Sequence, residues 1–89
     1  MATYSVVIVR SAEKEIAGLP GPIRKRVVRR ILALADDPRP PGCVKLSGDD
    51  KYRVRQGVRQ GNRRIVYTIA DAVVTVTVVR VAHRSDVYR

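Results

Sequence analysis

The sequence predicts an α+β fold, a helical hairpin packed on one face of an antiparallel meander sheet that also takes in an N-terminal strand. Three observations carry this. The chain of 89 residues holds no Phe and no Trp, so its core must be built from Val, Ile and Leu, a choice that favours a sheet. Apolar residues recur at helical spacing only in the first half, and alternate at strand spacing in the second. The connections between the later strands are too short for helical crossovers, which makes those strands antiparallel neighbours.

Taken in order, Tyr4 to Val9 is a β-branched run of strand length. Ser11 is placed to cap a first helix, with Glu13 and Glu15 near the positive end of its dipole. Ala12, Ile16 and Leu19 fall on one face of that helix. Leu19-Pro20-Gly21-Pro22 stops it, and Pro22 suits the first position of the next helix. This second helix is expected from about Pro22 to Ala35, with Ile23, Val27, Ile31 and Leu34 forming one apolar stripe. Lys25, Arg26, Arg29 and Arg30 occupy the other side. The breaker between the helices is short enough to force an antiparallel hairpin.

The run Asp36-Asp37-Pro38-Arg39-Pro40-Pro41-Gly42 ends the second helix as a stiff connector. Three strands are expected after it. Tyr52 to Arg55 alternates, with Arg53 and Arg55 sharing a face; Arg64 to Ile69 sets Ile65, Tyr67 and Ile69 opposite Arg64, Val66 and Thr68. A tight Ala70-Asp71-Ala72 turn leads into Val73 to Ala82, apolar on both faces for most of its length, as a central or helix-covered strand is. Between the first two of these strands, residues 56–63 contain Gly57 and Gly61 and read as a hairpin tip. The whole is β-α-α-β-β-β, one domain spanning 1–89.

Charge narrows the function. Lys and Arg total 18 against 8 Asp and Glu, a net +10. The excess is mostly Arg, which grips phosphate bidentately, so a polyanionic partner is the leading inference over a merely solubilising surface. The single cysteine, Cys43, leaves no disulfide framework and no thiolate metal cluster. Val6 to Val9 is too short for a signal-peptide core, and no apolar run is long enough to span a bilayer. A cytoplasmic protein without cofactor or metal and without a membrane partner is expected.

Four strings, Lys45-Leu46-Ser47-Gly48, Tyr52-Arg53-Val54-Arg55, Arg64-Ile65-Val66-Tyr67 and His83-Arg84-Ser85-Asp86-Val87-Tyr88, stand in an order and spacing that resemble the RelE/ParE toxin superfamily. The resemblance covers essentially the whole chain. It implies a toxin of a type II toxin–antitoxin system, held inactive by a small, more acidic antitoxin. RelE-like members cleave mRNA in the ribosomal A site, and ParE-like members inhibit DNA gyrase. The terminal string resembles the RelE side, which makes the ribosome and mRNA the expected partners. A ParE-like gyrase inhibitor and a non-enzymatic RNA-binding module are the alternatives.

The resemblance also implies a site. Arg53, Arg55, Arg64 and Arg84 match positions that surround the scissile phosphate, and Tyr88 matches a terminal Tyr that orients the substrate. Metal-free RNA cleavage needs a base for the 2′-OH, cations around the phosphorane and an acid for the leaving oxygen. Arginine supplies the cations but cannot act as base, since it does not deprotonate. Some RelE-like enzymes carry Lys where this chain has Arg53 and Arg55. His83, the single histidine, is the candidate acid or base, weighed against a structural role. Lys25, Arg26, Arg29 and Arg30, with Arg59 and Arg63, are candidate RNA or ribosome contacts; the helical four read equally well as the solvated side of an amphipathic helix.

Overall fold

The computed structural model describes residues 3–50, 53–60 and 63–83, with backbone alone for 46–50 and 53–59. The elements are β1 (Ser5–Ile8), α1 (Arg10–Ala17), α2 (Gly21–Ala33), β2 (Val44–Asp50), β3 (Arg53–Gln60), β4 (Arg63–Ala70) and β5 (Thr75–His83), with a 3-10 turn at Asp71–Val73. They form a five-stranded sheet in the order β1-β5-β4-β3-β2. The last four strands form an antiparallel meander, of which β3, β4 and β5 are the three that were expected. β1 instead lies parallel to β5, with Ser5 opposite Thr75 and Ile8 opposite Val78, which makes the sheet mixed.

Both helices press on one face of this sheet. Ala12 and Ile16 of α1 and Val27, Ile31 and Leu34 of the α2 segment join Ile65, Tyr67, Ile69, Val76, Val78 and Val81 in one buried cluster. These are the helical stripe and the strand face read from periodicity. Tyr67, the largest fully buried side chain among the described residues, donates from its hydroxyl to the Pro38 carbonyl at 2.7 Å, and the Cys43 Sγ lies 3.2 Å from the Tyr67 hydroxyl oxygen. Burial, then the contact with Cys43, pushes the phenol well above its ordinary pKa. The proline-rich connector is thereby anchored to the core.

Several boundaries differ from the sequence reading. α1 starts at Arg10 from an extended Val9, and no side chain caps it; Ser11 is already helical. The cause is that strand pairing reaches Val9, whose N–H donates to the Val78 carbonyl while its own carbonyl accepts from Glu13. β2 was not anticipated. It is an edge strand ending in Gly48, Asp49 and Asp50, residue types depleted in strands, and it pairs only with β3, through two register shifts. Residues 56–60, expected in a hairpin tip, continue β3, with Gly57 opposite Val66. β5 begins at Thr75 rather than Val73, after Val74 turns the chain at φ 48°.

One irregularity bears on the site. Tyr67 pairs with Val78 but Val66 pairs with Arg80, so Val79 is an extra residue in β5, a β-bulge. It moves Arg80 off the helix-covered face and returns Val81 to it, where Val81 is 2% exposed.

Candidate nucleic-acid interface

The second helix repeats cations at the spacing that brings them to one side. Arg26, Arg29, Arg30 and Ala33 stand at i, i+3, i+4 and i+7. They line an open cleft of about 420 Å³ whose opposite wall is Gln60 at the end of β3. The three guanidinium groups have no ion-pair partner among the described residues. The Nε of Arg30 is buried there without a hydrogen-bond partner among them. A convergence of unneutralised donors in a concave surface is suited to an anion with several acceptor oxygens. Lys25 is exposed and does not line the cleft, since one residue along a helix turns the side chain by about 100°. Gln60 gave no sequence signal, whereas Ala33 completes a stripe that periodicity already contained.

The same end of the sheet gathers the other candidates. Across β3, β4 and β5 one ladder row reads Gln60, Arg63, His83, and the next reads Arg59, Arg64, Ala82. Arg63 and His83 take the parity of Ile65 and Val81, the helix side; Arg59 and Arg64 take the opposite parity. Arg55, opposite Thr68, falls on the Arg64 side too, and alternation puts Arg53 with it. The positions of Arg53, Arg55, Arg59 and Arg64 thus share the face away from the helices. Arg64 is only 4% exposed, although it stands on the face away from the helices. His83 is exposed and stands across from Arg63 rather than Arg64. Arg84 and Tyr88 lie outside the described residues.

A second charged cluster sits away from this end. The Arg39 Nη2 meets the Asp71 Oδ2 at 3.0 Å, and the Tyr4 hydroxyl donates to the Asp71 Oδ1 at 2.7 Å. The hydrogen bond from Arg39, then that from Tyr4, holds the Asp71 carboxyl below its ordinary pKa. The arrangement ties β1, the connector and the turn before β5 together and neutralises its own charge, which marks it as structural. Among the described residues no helix is long and apolar enough to cross a membrane.

The fold has close counterparts. The archaeal RelE of a RelE–RelB complex from Pyrococcus horikoshii superposes with a TM-score of 0.82 at 22% identity, over 92% of this chain and 96% of that one, a likeness of fold. A chain of the RelBE toxin–antitoxin complex from Mycobacterium tuberculosis is 29% identical over 97% of both chains, with a TM-score of 0.77. A mutant of the E. coli toxin RelE in the free state is 27% identical, with a TM-score of 0.71, over 97% of this chain and 90% of that one. No curated protein matches the sequence. The family model described as the ParE toxin of the type II toxin–antitoxin system parDE matches residues 6–88. With that match spanning nearly the whole length and RelE toxins sharing its fold, the chain belongs to the ParE toxin family of the RelE/ParE superfamily.

Proposed function

We propose that this type II toxin is an mRNA endonuclease acting in the cytoplasm on ribosome-bound message, silenced by a small acidic antitoxin. The observation that carries the reading is the register that sets Arg55 and Arg59 of β3 on the same helix-free face as Arg64 of β4. Guanidinium groups held on neighbouring strands can surround one phosphate while the strands keep them in place. The full-length likeness to RelE toxins at 27% and 29% identity supports the same branch, and the M. tuberculosis relative is itself a toxin–antitoxin complex.

In the proposed reaction the substrate's own 2′-OH loses its proton and its oxygen attacks the adjacent phosphorus. The bond from phosphorus to the 5′-oxygen breaks, and that oxygen takes up a proton. The products are a 2′,3′-cyclic phosphate and a 5′-hydroxyl. Arg53, Arg55, Arg64 and Arg84 offset the charge of the phosphorane, and Tyr88 orients the substrate. The register sets His83 across from Arg63, on the opposite face from Arg64, so proton transfer is assigned to groups supplied with the ribosome, which also aligns the message. The cleft of Arg26, Arg29 and Arg30 holds backbone phosphates away from the reacting one.

The test is induced expression with pulse labelling of protein and DNA synthesis, followed by end analysis of message incubated with ribosomes and toxin. Protein synthesis falling first, with cyclic-phosphate ends, supports the proposal. The family model, described for ParE, favours gyrase inhibition as the second reading; early arrest of replication with intact message would select it.

A further inference from the structure

β1 covers β5 only as far as Val78, because the chain leaves the sheet at Val9 to enter α1. Beyond that point β5 has no strand on its β1 side among the described residues, and its amides there need other acceptors. One acceptor comes from the helix. The Val81 N–H donates to the Glu15 Oε1 at 2.9 Å, and the Glu15 Oε2 lies 3.7 Å from the Arg80 Nε. Both carboxylate oxygens of one α1 side chain are thus spent on the two residues that follow the Val79 bulge. We infer that Glu15 is a positioning residue, which stands in for the missing strand and holds the end of β5 in the register the site requires. The inference rests on the RNA-cleavage reading above.

The register matters because side chains alternate along a strand, so a slip of one residue exchanges its two faces. With the bulge at Val79, Val81 faces the core opposite Ile65, Ala82 stands across from Arg64, and His83 across from Arg63. Losing the bulge would bring Arg80 to the core-facing position and turn Val81 away from it, and would reverse the face on which His83 stands. Backbone pairing to β4 alone admits such a shift, since a bulge interrupts the ladder where it sits. A charged acceptor fixed to the Val81 amide selects one arrangement. Glu15 does this from a helix whose Ala12 and Ile16 are locked in the core, so its carboxylate is held from a rigid support.

The experiment compares Glu15→Ala with Glu15→Gln in the full chain. Glutamine keeps a carbonyl oxygen for the Val81 amide and loses only the half-exposed ion pair with Arg80, an interaction of small weight. Amide hydrogen exchange is read at residues 79–83, together with kcat for message cleavage and the Kd for ribosomes. In Glu15→Ala, exchange at Val81 should rise about tenfold, as expected for a lost charge-assisted hydrogen bond. Its kcat should fall on the order of 10²-fold, the cost of slight misplacement, with the ribosome Kd unchanged. Glu15→Gln should restore both within about fivefold of wild type. Unchanged exchange or unchanged kcat in Glu15→Ala overturns the inference, and so does equal damage in the two variants. A wild-type chain that does not cleave overturns the functional reading instead, and the exchange arm still decides whether Glu15 holds the strand end.

Discussion

Replacing Arg26, Arg29 and Arg30 together by glutamine removes the cations of the α2 cleft without touching the sheet. Arg and Gln have nearly equal helix propensity, and Arg26 and Arg29 are exposed, so α2 should persist. If each guanidinium neutralises one phosphate, binding releases about three fewer counterions. At about 0.7 per phosphate, the slope of log K against log[salt] should become shallower by roughly 2. Over a fourfold rise in salt, wild type should then lose about 16-fold more affinity than the variant. Ribosome pelleting across a salt series measures this, with circular dichroism as the control for folding. A variant that binds more weakly at every salt concentration but keeps the wild-type slope would refute the reasoning, because the cleft would then contribute shape rather than phosphate contacts.

Other substitutions test the frame that holds the site. Tyr67→Phe leaves the Pro38 carbonyl without its donor in a buried setting; it should cost about 2 kcal/mol, roughly 10 °C in Tm, by thermal melting. Val74→Gly should stabilise by about 0.5–1 kcal/mol in denaturant titration, since a β-branched residue at φ 48° is strained and glycine is not. Asp71→Asn should lower stability near neutral pH. The folded-state pKa of Asp71 is depressed, so its contribution is present above the ordinary value of 3.8 and is lost as pH falls through the depressed one. The gap between wild type and Asp71→Asn should therefore close in acid, and a gap independent of pH would assign the effect to packing. Arg64→Lys keeps the charge but loses the planar fork; toxicity should fall while the antitoxin complex still forms, as co-purification would show.

Periodicity carried most of this fold. The stripe of Val27, Ile31 and Leu34 and the alternation of Ile65, Tyr67 and Ile69 identify the two buried surfaces, because helix and strand each present one face to a shared core. Edge and long-range features were not legible. β2 carries glycine and aspartates that a strand paired on one side tolerates, and the parallel pairing of β1 with β5 joins segments about 70 residues apart. Local pattern holds no record of either. The site divides in the same way. Arg26, Arg29 and Arg30 could be found by helical spacing, whereas Gln60 enters the cleft through tertiary packing. Glu15 was visible only as an acidic residue favourable near a helix start, since its amide partner lies 66 positions away.

The register of the strands gathers arginine positions at one end of the sheet. Arg59 and Arg64 are direct cross-strand partners, and like charges at such positions destabilise a pair by about 0.2–1 kcal/mol. Arg63 stands in the adjacent row, and the α2 cleft reaches the same row through Gln60. Alternation puts Arg63 and His83 on the helix side, and the register puts the position of Arg59 with Arg64 on the other face, so basic positions stand on both faces at this end. An anion lying across this end would meet both sets at once and convert their mutual repulsion into attraction. Binding should then stabilise the fold by more than the sum of separate contacts. Replacing Arg59 by Gln should raise the Tm of the free toxin while weakening its grip on ribosomes, and a variant that loses both would show that Arg59 supports the sheet instead.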